Sequence, residues 1–218
     1  MNILITAGPT REAIDPVRFL SNRSTGKMGY ALARAAREAG HTVILVSGPV
    51  ALEPPAGVAV VAVESASDMA CAVKSRAPEA DLVIMAAAVA DYRPRKISPG
   101  KLKKQPGALV LELERTEDIL ASLGQMKRPG QILVGFAAET DDLIAYAAEK
   151  LARKNLDWIA ANLVGVPGRG FAADDNAVTL LGRGGERVEL ALQSKMSLAR
   201  EILAIVTARP GRTVEKSE

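Results

Sequence analysis

The sequence predicts an α/β domain: a mostly parallel sheet in three layers, with an antiparallel hairpin at one edge. Short apolar runs alternate with segments of helical period along the chain, the pattern of strands whose helices cover both faces of a sheet. The first run, Asn2–Ala7, stops at Gly8-Pro9-Thr10 and feeds a long polar segment before any helix begins. Towards the other end, two strand-like runs flank Gly182, Gly184 and Gly185, the punctuation of a hairpin. The whole is a Rossmann-like arrangement, in which ligands bind outside the carboxyl ends of the strands.

The elements follow in order. Met28, Ala31, Leu32 and Ala35 recur at i, i+3, i+4 and i+7, one helical stripe, and Gly40 is placed to end that helix. Thr42–Val46 and Val58–Val63 are apolar runs, separated by a loop with three prolines. Ser65 or Ser67 can cap a helix reaching about Ala77, whose apolar face is expected to take Cys71. Asp81–Ala87 reads as a buried strand, after which Val89–Pro106 carries many charges and no period. Leu109–Leu113 is expected as a strand, Glu117–Gln125 as a short helix and Ile132–Phe136 as another buried strand. Asp141–Lys154 is helical and Trp158–Ala161 a strand. Ala177–Leu181 and Arg187–Leu190 form the hairpin, and Ser194–Val206 is the closing helix. Residues 1–208 are expected to form a single nucleotide-binding domain, with a polar, disordered tail over 209–218.

Four polar segments leave strand ends and should converge: Gly8–Lys27, Ala86–Lys104, Gly135–Asp142 and Asn162–Asn176. The first is unusually long for a compact domain, and such loops are commonly functional. It carries Arg11, Asp15, Arg18, Asn22, Arg23 and Lys27. Two familiar phosphate motifs fail here. Gly8 has no glycine partner at position 10, as a dinucleotide fingerprint requires, and Ser21 and Met28 stand where a P-loop needs Gly and Ser or Thr.

Composition narrows the function further. With 218 residues, 48% hydrophobic and 24% charged, the chain has ample core for an ordinary globular enzyme. Only 3% of residues are aromatic, which argues against single-strand nucleic-acid binding by stacking. A net charge of +3 is too small for a nucleic-acid footprint but suits anionic ligands. One cysteine excludes an intramolecular disulfide, and the lone His41 falls at a helix-to-strand turn, where a capping or surface role is expected. No apolar run reaches the roughly 18 residues of a membrane span, and a cytoplasmic protein is expected.

The basic run Asp91-Tyr92-Arg93-Pro94-Arg95-Lys96, followed by Lys101-Leu102-Lys103-Lys104, is either a solvated charge run or a mobile loop that closes over a polyphosphate. Lys150 and Lys154 share a helix face, and a shared anion would explain two like charges four residues apart. Tyr146-Ala147-Ala148-Glu149-Lys150 matches the Tyr-x-x-x-Lys pair of short-chain dehydrogenases, so an NAD(P)-dependent reductase using Tyr146 and Lys150 is the alternative reading. The missing glycine fingerprint, and Leu133 where the partner serine would be expected, argue against it.

Several long motifs, in order, resemble the phosphopantothenate–cysteine ligase family in its bacterial, CTP-using branch. They are Gly8-Pro9-Thr10-Arg11-Glu12, Asp15-Pro16-Val17-Arg18, Ser21-Asn22-Arg23-Ser24-Thr25-Gly26-Lys27-Met28-Gly29 and Ala87-Ala88-Val89-Ala90-Asp91-Tyr92-Arg93. Lys101-Leu102-Lys103-Lys104, Val134-Gly135-Phe136-Ala137-Ala138-Glu139-Thr140, Lys154-Asn155-Leu156-Asp157, Phe171 and Asp175-Asn176 continue the match. The resemblance implies a two-step ligation. The carboxylate of 4′-phosphopantothenate attacks the α-phosphate of CTP, with Mg²⁺, releasing pyrophosphate; the amine of L-cysteine then attacks the acyl-cytidylate and releases CMP. By the family pattern Asn22 contacts the acyl intermediate and Arg18 helps hold that end of the site. Ala87, Ala88, Asp91, Asp118, Ile119, Leu120, Ala121 and Phe136 line the cytidine site, and Lys101, Lys150 and Lys154 lie near the triphosphate. No metal ligand is assigned. The resemblance also implies a homodimer, in keeping with an edge hairpin and a basic loop that need covering. It implies a flavin-dependent phosphopantothenoylcysteine decarboxylase as a fused or separate partner. Because the chain starts directly at the first strand, only the ligase activity is expected in it.

Overall fold

The computed structural model describes residues 1–104, 106–139, 143–163 and 173–208. In chain order the elements are β1 (Asn2–Ala7), β2 (Arg11–Ala13), β3 (Phe19–Ser21), α1 (Lys27–Glu38), β4 (Thr42–Ser47) and β5 (Ala59–Ala62). Then come α2 (Ala66–Arg76), β6 (Leu82–Met85), β7 (Tyr92–Pro94), β8 (Leu113–Arg115), α3 (Ile119–Met126) and β9 (Ile132–Glu139). The chain continues through α4 (Leu143–Arg153), β10 (Trp158–Leu163), β11 (Asp175–Gly182), β12 (Arg187–Ser194) and α5 (Lys195–Thr207). The expected tail over 209–218, Phe171 and the segment between β10 and β11 at 164–172 lie outside the described residues.

Eight strands form one sheet in the order β12-β11-β10-β9-β6-β1-β4-β5. Pairings from β5 across to β10 are parallel, and β11 and β12 close that edge antiparallel, as the glycine-flanked hairpin predicts. The period-2 alternation of β1 explains the layers. Ile3, Ile5 and Ala7 pack with Leu32 of α1 and Leu198 and Ile202 of α5, while Leu4 faces Met69 of α2, Leu123 of α3 and Leu151 of α4. Both faces are therefore covered, and the central strands can be apolar throughout. Ser65 caps α2 in a reciprocal box with Asp68, so it, not Ser67, starts that helix.

Three expectations are corrected. The polar segment after β1 is not a plain loop: β2 and β3 pair as a short hairpin, Arg11 opposite Ser21, with the Arg11 guanidinium 4.5 Å from the Phe19 ring centre. Leu109–Leu113 is not a strand. Leu109 and Val110 are 62% and 83% exposed, with no sheet face to receive them, and pairing begins only at Leu113, where β8 meets β7 and Glu114 bridges Arg93 at 2.8 Å. Cys71 is exposed, because α2 buries Ala66, Met69, Ala70, Ala72 and Val73 and residue 71 points away from that stripe.

Candidate functional site: a crevice across the strand tips

The crevice forms where the chain leaves β1 and β6 in parallel and the helices that follow lie on opposite faces, the switch point at which α/β sheets open. Backbone and threonine hydroxyls stitch the two exits together. Ala88 N–H donates to the Gly8 carbonyl at 2.9 Å, Ala87 N–H to Thr6 Oγ1 at 3.1 Å and Ala90 N–H to Thr10 Oγ1 at 3.0 Å. Thr6 and Thr10 are fully buried, so each hydroxyl fixes a backbone group that would otherwise go unpaired. Asn22 crosses the same seam: its Nδ2 donates to the Ala88 carbonyl at 2.9 Å and the Val89 carbonyl at 3.3 Å. Gly26 then turns the chain into α1 with φ +78°, and a Cβ there would lie 2.8 Å from Val50, so only glycine fits both the angle and the space.

A cavity of about 390 Å³ opens over these tips, with residues of all four polar segments in its wall. Asn22, Ala87, Ala88, Asp91, Asp118, Ile119, Leu120, Phe136, Lys150 and Lys154 line it. Lys101, Arg18 and Ala121 do not: Ala121 only donates its N–H to Asp118 Oδ1, at 3.0 Å, as part of the α3 cap. Asp118 also receives Lys154 Nζ at 2.8 Å. Burial pushes its carboxyl pKa up, but the Lys154 and Ala121 hydrogen bonds outweigh that and hold it below the ordinary carboxylate value. Asp118 is thus an anion that orients an ammonium at the cavity wall.

Arg18 and Lys101 belong to a separate cluster that anchors the basic loop. Asp15, buried, accepts from the Val17 and Arg18 N–H groups at 2.8 and 2.9 Å, from the Arg18 guanidinium, and from Leu102 N–H at 3.1 Å. Arg18 completes the clasp by donating to the Leu102 carbonyl at 2.9 Å. The Arg18 guanidinium, with the backbone donors, holds the Asp15 carboxyl far below the ordinary range against the opposing effect of burial. Lys101 itself is exposed, one residue from that clasp.

The Tyr-x-x-x-Lys pair does not converge: Lys150 lines the cavity, whereas Tyr146 is 49% exposed and outside it. Sequence reasoning did not single out Thr6, Thr10, Thr116, Asn162 or Lys195. Thr6 carries a legible signal, a hydroxyl inside an otherwise apolar strand, and Asn162 another, a polar residue at a strand's carboxyl end. Among the described residues no group of three or more His, Cys, Asp or Glu side chains could hold a metal ion, and no helix is long and apolar enough to cross a membrane.

The fold and this crevice define a Rossmann-like α/β domain whose wall of lysines, asparagines and backbone amides suits an anionic ligand. Residues 1–209 match the DNA/pantothenate metabolism flavoprotein C-terminal domain, and the chain belongs to that family. It is 54% identical over 217 residues to the coenzyme A biosynthesis bifunctional protein CoaBC of Bacillus subtilis (strain 168), covering 99% of this chain and 53% of that protein. To the protein of the same name in Escherichia coli (strain K12) it is 44% identical over 212 residues, covering 96% and 52%. The chain spans about half the length of these curated relatives. A solved structure of the C-terminal domain of a CoaBC protein superposes with a TM-score of 0.81 at 50% identity, covering 94% of this chain and 93% of that one.

Proposed function

We propose that the chain joins 4′-phosphopantothenate to L-cysteine in coenzyme A biosynthesis, using CTP and passing through an acyl-cytidylate. The observation that carries this reading is the cavity itself: ten residues that the ligase pattern assigns to substrate, from Asn22 to Lys154, line one space. Membership of the pantothenate-metabolism family and the likeness to CoaBC C-terminal domains support it.

On this reading the carboxylate of the pantoyl chain attacks the α-phosphate of CTP, pyrophosphate leaves, and the cysteine amine then displaces CMP from the acyl carbon. Asn22, its amide held by two backbone carbonyls, is preorganised against the acyl group. Ala87, Ala88 and Asp91, with Asp118, Ile119, Leu120, Ala121 and Phe136, would hold the cytidine, and Lys101, Lys150 and Lys154 the triphosphate; Arg18 would steady the acyl end. Mg²⁺ in such reactions is carried largely by substrate phosphates and water. The described residues offer no preformed set of three carboxylate or imidazole ligands, so no side chain is assigned to the ion and no step is routed through it. Residues 1–208 are taken as one catalytic unit working in the cytoplasm as a homodimer, beside a phosphopantothenoylcysteine decarboxylase, fused or separate.

Pyrophosphate release from CTP, phosphopantothenate and cysteine tests the reading; no release sinks it. CTP should be preferred to ATP, because polar groups matched to one base edge and left unpaired by another cost about 1–3 kcal/mol each. Equal release from both nucleotides would remove the cytidine assignment. Light scattering at micromolar concentration should give twice the chain mass, and a monomer would remove the dimer.

A further inference from the structure

One buried carboxylate belongs to none of the roles assigned above. Asp15, 3% exposed, sits in the turn of the β2–β3 hairpin. Its two oxygens have different partners. Oδ1 accepts from the Val17 and Arg18 N–H groups at 2.8 and 2.9 Å, which builds the turn itself. Oδ2 accepts from the Arg18 guanidinium, with Nε at 3.0 Å, and from Leu102 N–H at 3.1 Å, 87 positions along the chain. A turn-forming aspartate needs only the first set. The second set, with Arg18 on the Leu102 carbonyl and Ser98 N–H on the Ile14 carbonyl at 3.0 Å, ties the hairpin tip to the basic loop on both sides of Lys101.

The other end of the hairpin is fixed at the crevice. Ser21 Oγ donates to the Thr10 carbonyl at 2.8 Å, Thr10 Oγ1 accepts from Ala90 N–H, and Asn22 follows at once on the Ala88 and Val89 carbonyls. From Arg18 to Asn22 the chain runs along β3, roughly 13 Å of extended strand. The Lys101 loop and Asn22 are therefore held at opposite ends of one braced element. In-line attack at phosphorus puts the incoming carboxylate and the departing pyrophosphate on opposite sides of it, so the groups that serve them must keep a set separation. We propose that Asp15 is a positioning residue for the first half-reaction: through Leu102 it sets where Lys101 stands relative to Asn22. The assignment rests on the ligase reading and on the role given there to Lys101. Asp15 acts through Leu102 and Arg18, not on a reactant.

The test is a double-mutant cycle between Asp15 and Lys101. Asp15→Asn keeps Oδ1 and the turn but replaces Oδ2 with an NH2 group, which meets Leu102 N–H and the guanidinium donor to donor. Pyrophosphate release from CTP and phosphopantothenate should fall about tenfold or more, the loss typical of a hydrogen bond to a charged group. Consumption of supplied acyl-cytidylate with cysteine should stay near the native rate. In the Lys101→Gln background the same substitution should cost less than about twofold, because the clasp then has no ammonium left to place. General damage to the hairpin would cost the same in both backgrounds and would slow both half-reactions. Equal fold-losses in the two backgrounds overturn the proposal, as does an equal fall in both half-reactions. So does native-rate pyrophosphate release by Asp15→Asn or by Lys101→Gln. If Asp15→Asn does not fold, Asp15→Glu, which keeps the charge beside Arg18 and shifts the acceptor by one methylene, runs the same cycle. Failure of both variants to fold makes Asp15 purely structural and overturns the proposal too. Each of these results leaves the ligase reading standing as long as the native protein releases pyrophosphate. Absence of release by the native protein sinks that reading, and this assignment with it.

Discussion

Lys101→Gln should fold normally and lose about 10²–10³-fold in pyrophosphate release, roughly 3–4 kcal/mol of transition-state stabilisation. Forming the acyl-cytidylate moves negative charge onto departing pyrophosphate, and an ammonium that meets this charge as it develops favours the transition state over the bound substrates. Lys101 is exposed and outside the cavity wall, so the role proposed for it requires the loop to close over the phosphates. The clasp on Leu102 makes that closure a swing about a fixed point: Asp15 and Arg18 grip its N–H and carbonyl, one residue from the lysine. The second half-reaction, run from supplied acyl-cytidylate and cysteine, should suffer much less, because pyrophosphate has already gone. A variant that releases pyrophosphate at close to the native rate would leave the loop a solvated charge run.

Gly124→Ala should destabilise the fold by about 1–3 kcal/mol, although alanine is the better helix former by about 1 kcal/mol. Gly124 lies inside α3 where that helix touches the turn after α4, and a Cβ there would stand 1.9 Å from the Lys154 carbonyl oxygen and 3.3 Å from the Asn155 Cβ. The carbonyl is backbone and the Cβ is fixed directly to it, so neither yields as the far end of a flexible side chain would. Asn155, in the left-handed region at φ 54°, is tied to the same spot through its Nδ2 and the Gly124 carbonyl at 2.7 Å. The clash therefore displaces Lys154, and with it the Asp118 pair at the cavity wall. Urea denaturation should show a lower midpoint, and the KM for CTP should rise in the same variant. Native stability in Gly124→Ala would mean that α3 can retreat without cost.

Much of this architecture is legible because long elements carry a period. Leu32 and Ala35 are buried by α1 as the helical stripe requires, and the apolar run before Ala86 became a central strand. The convergence of four polar segments was legible too, since strand direction alone sends them to one end. Three-residue pairings were not, because β2, β3, β7 and β8 are too short to leave an alternation in the sequence. Leu109 and Val110 misled for the opposite reason: their propensity is real, but a strand needs a face to pack on, and none is there. Asp175-Asn176 was legible only as part of a motif, because a polar residue near the start of a hairpin strand gives no sign in the sequence that it faces a cavity.

The order of the sheet also bears on how the chain assembles as it is synthesised. β5, β4, β1 and β6 are neighbours and all lie within residues 2–85, so a four-stranded nucleus is complete before the second half leaves the ribosome. From β6 onward β9, β10, β11 and β12 are added one at a time to the same open edge, each as it emerges. Vectorial growth needs no strand to be inserted between two already paired. The exception is the covering of α1, whose apolar flank waits for α5 at the far end of the chain. On the nascent domain this flank stays uncovered until α5 appears, and exposed apolar surface of that kind favours aggregation in the interval.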